Sequence, residues 1–149
     1  YALDTRREVV RRVVLPAFQA EARLGERLLR ALQRRALALR PAPGAVVLYG
    51  SVARGAPVPG DVDLLVVLAD AADAEPVRAA LLDAARPLER RFQVAVHPVV
   101  LTAAELQARR ADPFITAIAD EGLLLSGRAA GPLRRVRRLP TPAPASEPG

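Results

Sequence analysis

The chain contains the run Val47-Leu48-Tyr49-Gly50-Ser51-Val52-Ala53-Arg54-Gly55 and, after a four-residue spacer, Gly60-Asp61-Val62-Asp63-Leu64-Leu65-Val66-Val67. The first half reads as a short buried strand, Ala45 to Tyr49, that stops at a glycine. The second half reads as another strand, Asp61 to Leu68, that opens on two carboxylates one residue apart. Strand alternation puts Asp61, Asp63, Leu65 and Val67 on one face and Val62, Leu64, Val66 and Leu68 on the other. The two aspartate α-carbons should then lie about 6–7 Å apart by strand rise. Carboxylates at that spacing can share hard divalent cations, which prefer oxygen ligands and take the rest of their shell from substrate phosphates. An aspartate at position 63 also interrupts an otherwise apolar strand, and an unpaired buried carboxylate is costly. A strand-edge ion pair with an arginine is the alternative explanation for it.

The turn between the strands supplies the complementary chemistry. Gly50 lets the backbone bend sharply and approach a ligand closely. Ser51 offers a hydroxyl and a main-chain N–H where phosphate oxygens could sit, at the start of a short helical turn over Val52-Ala53-Arg54. Arg54 adds a fixed positive charge one turn further on. A Gly-Ser dipeptide alone would be read as an ordinary turn with a solvated arginine; the ordered combination with the Asp-x-Asp strand is far more specific.

Around this block the pattern is one of alternating helices and strands. Asp4-Thr5 can cap a helix to about Val14, interrupted by Pro16. Ala17, Ala20, Leu24, Leu28, Leu32, Ala36 and Leu39 then form one apolar stripe, which predicts a long amphipathic helix ended by Pro41-Ala42-Pro43-Gly44. Asp73 and Pro76 open a helix whose buried stripe is Val77, Leu81, Ala84 and Leu88, with Pro87 a kink or an end. Phe92 to Leu101 reads as a third strand, at a sheet edge or bent because of Pro98. On it Phe92, Val94 and Val96 face one side, and Gln93, Ala95 and His97 the other. Thr102-Ala103-Ala104-Glu105 is a capping box, Asp112-Pro113 starts a further helix that Gly122 stops, and Leu123-Leu124-Leu125 suits a last short strand. From Leu133 the Arg134–Arg138 run and the Pro/Ala-rich end predict disorder. The expected architecture is α/β, a small mixed sheet with flanking helices preceded by a long amphipathic helix. Its expected parts are helices over 1–40, the sheet domain over 41–132 and a tail over 133–149.

Composition narrows the chemistry. The 149 residues contain no Cys, which excludes disulfide and thiolate chemistry. Aromatics make up only 3% of the chain, so the core must come from Leu, Val and Ala. All 22 basic residues are Arg and the formal charge is +6. That suits phosphate or nucleic-acid contacts, but the absence of Lys and Met beside abundant Ala, Pro and Leu also fits a compositional bias. No apolar run approaches the roughly 20 residues of a spanning helix, and no signal pattern opens the chain. A cytoplasmic protein without membrane contact is expected. The missing initiator Met is expected of a trimmed or partial chain.

Gly50-Ser51-x-Ala53-Arg54-Gly55 followed by Asp61-x-Asp63-Leu64 resembles the small bacterial members of the DNA polymerase β-like superfamily, the minimal nucleotidyltransferase domains, and so implies a bacterial protein. Gly60 stands where they usually have Ser. The likeness is strongest over this block and extends more weakly over residues 25–126. It implies the polymerase β-like fold, ATP or another NTP as substrate, and Mg²⁺. It also implies triphosphate binding by Gly50 and Ser51 with Arg54 in support, metal ligation by Asp61 and Asp63, and transfer of a nucleoside monophosphate to a hydroxyl acceptor. Active members usually add a third carboxylate from a later strand. Here that strand contains none, which leaves His97 as the candidate base or ligand, or a carboxylate brought from elsewhere, such as Glu105, Asp112 or Glu121. Small proteins of this kind often modify a partner toxin, so a protein partner is expected beside the nucleotide. The rival expectation is a catalytically degenerate nucleotide-binding or regulatory module. Tyr1-Ala2-Leu3-Asp4 is similar to the end of a wing in winged-helix DNA-binding regulators that carry such a domain, so the chain could be the C-terminal part of one. Direct nucleic-acid contact by Arg134–Arg138 is a weaker expectation.

Overall fold

The computed structural model describes residues 15–55 and 60–141. The element order is α1 (Leu15–Leu37), β1 (Ala45–Tyr49), β2 (Asp61–Leu68), a 3₁₀ turn (Ala71–Asp73), α2 (Ala74–Phe92), β3 (Ala95–Thr102), α3 (Ala103–Ala108), α4 (Pro113–Glu121), β4 (Leu123–Gly127), a second 3₁₀ turn (Gly131–Leu133) and β5 (Arg137–Arg138). The strands form one mixed sheet in the order β3-β2-β1-β4-β5. β1 is antiparallel to both β2 and β4, while β2 and β3 are parallel, as are β4 and β5.

Alternation along β1 and β2 divides the core in two. Val46, Leu48, Val62, Leu64 and Val66 meet Leu28, Leu32 and Ala36 of α1 and Val77, Leu81, Ala85 and Leu88 of α2. Val47, Leu65 and Val67 point the other way, onto Leu106 of α3 and Ile115 and Ile118 of α4. Helices therefore cover both faces, and β1 and β2 are apolar on both sides in the manner of a fully covered sheet. Among the described residues, no helix is long and apolar enough to cross a membrane.

The expected bounds of β1 and β2 agree with the structure, as do the Thr102–Glu105 capping box and the Asp112–Gly122 limits of α4. Pro98 does lie on an edge strand. That edge is largely closed. The Val96 N–H donates to Glu89 Oε2, Pro98 has no N–H, and the Thr102 N–H donates to Glu105 Oε1.

Other expectations need correction. α1 is already helical at Leu15 and Pro16, and Leu24 of its stripe is exposed. The helix expected over Asp4–Val14 lies outside the described residues, as do the side chains of Ala17 and Ala20. Val52-Ala53-Arg54 forms a single hydrogen-bonded turn rather than a helix, its Arg54 N–H donating to the Gly50 carbonyl. α2 runs through Pro87 to Phe92, so Phe92 joins Val77, Leu81, Ala85 and Leu88 in the buried helical stripe and Ala85 replaces Ala84. The proline is tolerated because the turn before it, at Asp83, faces solvent. Gln93 caps the helix in the left-handed region with φ 53° and so does not share a strand face with His97.

The expected disorder from Leu133 does not hold for residues 133–141. Leu133 and Val136 are buried against α3, α4 and β4, and Arg137–Arg138 pair with Leu123–Leu124. The Gln33 side-chain amide, itself buried, donates to the carbonyls of Leu139 and Pro140. Leu133 and Val136 on one face, and Leu139 against the other core, anchor a segment that is otherwise polar. Leu133 is 1% exposed, so Leu133→Ala should lower stability by about 2–4 kcal/mol, read as a fall in the urea midpoint. An unchanged midpoint would mean that this segment does not pack.

Candidate functional site

The strand register assembles the site. Tyr49 is opposite Asp63 across the β1–β2 pair, and Asp63 is opposite His97 across the β2–β3 pair. Three adjacent strands thus bring Tyr49, Asp63 and His97 side by side at one end of the sheet. Asp61, two residues before Asp63, shares their face. All lie on the side covered by α3 and α4, as the alternation predicts for the two aspartates.

Gly50 follows Tyr49 with φ +80°, in the left-handed region that favours glycine. A β-carbon built on it would stand 2.5 Å from Asp63 Oδ2. The Asp63 carboxylate therefore lies directly over the Gly50 backbone, and any side chain there would have to displace that carboxylate and adopt a strained φ. Ser51 is half-buried and begins the turn that Arg54 and Gly55 close. The glycine-serine bend and the acidic strand do converge, as expected.

Asp61 is exposed and Asp63 half-buried. Among the described residues, no arginine pairs with either one; His97 makes the contact to Asp61, its Nε2 3.2 Å from Asp61 Oδ1. That contact orients the Asp61 carboxylate. Arg54 instead pairs with Glu121 at 3.1 Å, tying the turn to the last residue of α4. Both partners are about half exposed, so the pair adds little stability, but it restrains the loop that carries Ser51.

The third carboxylate is absent from β3, whose position beside Asp63 is His97. Each substitute carboxylate is engaged elsewhere. Glu105 completes the capping box, Asp112 accepts from the Phe114 N–H, and Glu121 holds Arg54. Among the described residues, no group of three or more acidic or histidine side chains is placed to hold a metal ion. The donor set still fits a hard divalent cation of the kind that takes one or two carboxylates and completes its shell with water and substrate phosphates. Asp61 and Asp63 would hold it, with room for the Asp63 carboxylate secured by Gly50.

Tyr49 is a site residue that sequence reasoning missed. Its ring packs edge-on against Phe114 of α4, with centroids 5.4 Å apart at 87°. Burial raises its pKa above the ordinary tyrosine value, and the nearby Asp63 charge raises it further. The phenol therefore stays protonated and able to donate a hydrogen bond. The available signal was its position one residue before Gly50, opposite Asp63 in a two-strand pairing.

These features define a sheet-end cradle with two carboxylates on one strand and a glycine bend beside them. The family model for the nucleotidyltransferase domain matches residues 26–123, well over half of the chain. The chain belongs to that family. None of the curated proteins and none of the solved structures compared with it matches. The match begins within α1 and ends at the first residue of β4, so it includes every residue of the cradle.

Two outcomes test this geometry. Gly50→Ala forces a β-carbon against Asp63 and an unfavourable φ, which should cost about 1–2 kcal/mol of stability; metal binding, titrated by calorimetry, should weaken far more than that loss accounts for. In a Tyr1→Phe background, absorbance titration follows Tyr49 alone. Asp63→Asn should lower its pKa while leaving it above the ordinary value, because burial remains. The raised pKa favours the folded state only while the phenol is protonated. That stability is complete below the ordinary tyrosine pKa and is lost as pH rises through the folded-state value.

Proposed function

We propose that this domain transfers a nucleoside monophosphate from an NTP, ATP by preference, to a hydroxyl acceptor. The observation that carries the reading is the convergence of Asp61, Asp63 and the Gly50 backbone at one end of the sheet. The Gly50-Ser51 bend grips the triphosphate, with Arg54 restraining the loop from its pairing with Glu121. A Mg²⁺ ion held by Asp61 and Asp63 would neutralise phosphate charge and polarise the reacting oxygens. The acceptor oxygen attacks the α-phosphorus, the bond from that phosphorus to the bridging oxygen breaks, and pyrophosphate leaves. The hydroxyl proton passes to His97, which stands on the same face beside Asp63. Tyr49 donates its O–H to oxygens of the bound substrate. The setting is a bacterial cytoplasm, and a toxin-like or regulatory protein partner rests on the resemblance alone.

One observation favours a second reading. No third acidic side chain joins the pair among the described residues, which suits a domain that binds nucleotide and metal without turnover, as part of a regulator. Calorimetry with ATP and Mg²⁺ tests what the two readings share. Asp61→Asn/Asp63→Asn should weaken binding at least about tenfold, roughly 1.4 kcal/mol; equal heats would remove the metal assignment. Pyrophosphate release then separates the readings, since binding without release across protein, RNA and small-molecule acceptors favours the regulatory module.

A further inference from the structure

A groove of about 480 Å³ opens between α1, the end of α2 and the C-terminal segment, lined by Glu26, Arg27, Arg30, Arg34, Arg91 and Leu139. It lies on the opposite face of the sheet from the carboxylates but at the same end. Arg91 sits just before β3, whose first residue pairs with Asp61. The Leu139 N–H donates to Leu124 of β4, next to the residue that pairs with Leu48 near the end of β1.

The groove holds four guanidiniums to one carboxylate, against 22 basic to 16 acidic residues in the whole chain. Arg30 is used structurally; it donates to the Pro140 carbonyl and to Gln33 Oε1 and so builds one wall. Arg27, Arg34 and Arg91 are exposed and, among the described residues, have no acidic partner within 4.0 Å. Arg91 lies over the Phe92 ring, 5.0 Å from its centroid, which holds the guanidinium in place.

Arg27 and Arg34 are seven residues apart on α1, about 10 Å along the helix axis. That span exceeds one phosphate and suits successive phosphates of a strand. The groove is far too small for a duplex, and no aromatic side chain lines it for base stacking. Recognition there is through the backbone and independent of sequence.

We propose that this groove binds the sugar–phosphate backbone of single-stranded RNA, and that this RNA carries the acceptor hydroxyl. The acceptor role rests on the nucleotidyl-transfer reading; the binding does not. The test is fluorescence anisotropy with a short labelled RNA of mixed sequence, across about 50–200 mM salt. Arg27→Gln/Arg34→Gln/Arg91→Gln should weaken binding at least about tenfold and flatten the log–log salt slope by about 2, at roughly 0.7 for each phosphate no longer neutralised. Arg86→Gln/Arg109→Gln/Arg128→Gln removes equal charge elsewhere and should change affinity less than about threefold. Arg27→Gln/Arg34→Gln leaves the Arg91–Phe92 stacking intact and should give an intermediate loss. Similar losses in both triple variants, no binding by the wild type, or tighter binding of polyglutamate than of the RNA would overturn the site. The groove variant should keep its heat of ATP–Mg²⁺ binding. If Asp61→Asn/Asp63→Asn leaves that heat unchanged while the groove variant no longer binds RNA, the groove stands and its acceptor role falls.

Discussion

The antiparallel register between β1 and β2 is what brings the site together. It sets Tyr49 opposite Asp63 and leaves the next residue, Gly50, beneath the Asp63 carboxylate. A slip of one residue would turn both aspartates onto the face covered by α1 and α2 and bury them among Leu28, Leu32 and Leu81. The cost of burying two unpaired carboxylates opposes that slip, because β1 and β2 are otherwise apolar on both faces. Val46, Leu48, Val62, Leu64 and Val66 must meet one pair of helices while Val47, Leu65 and Val67 meet the other. The core and the two carboxylates together thus keep Asp61 and Asp63 on the α3–α4 face.

The same sheet carries two different electrostatic environments at one end. On the α3–α4 face, two carboxylates and an imidazole collect where cations and phosphates can join them. On the α1–α2 face, guanidiniums line a groove whose far wall is the C-terminal segment. That wall depends on Gln33, a buried polar residue whose amide is satisfied by main-chain carbonyls of Leu139 and Pro140. The last stretch of the described chain is therefore part of the fold, and it links the groove to β4.

Local rules read much of this correctly. The two central strands, the capping box and the last helix follow from alternation, cap chemistry and turn residues, which act over a few positions. Where local rules misled, a distant contact won. Phe92 looked like the start of a strand because it precedes Val94 and Val96. It belongs to α2 because its ring completes the stripe that packs on the sheet, and Gln93 accepts a left-handed backbone to make the turn. Residues 133–141 looked disordered because their composition is polar. Their order comes from Leu133 and Val136 entering a core built by residues far earlier in the chain.

The chain's own order of residues determined the two-strand motif, the shared face of Asp61 and Asp63, and the lack of an acidic residue on the third strand. Those are consequences of period-two geometry and of residue identity, which need no partner. Tertiary structure alone decided that His97 stands beside Asp63 and touches Asp61, that Tyr49 is part of the site, and that Arg54 turns to Glu121. Each of these depends on strand order and register, set by how the apolar faces of separate segments pack together, and no local pattern encodes which distant segment a side chain will meet.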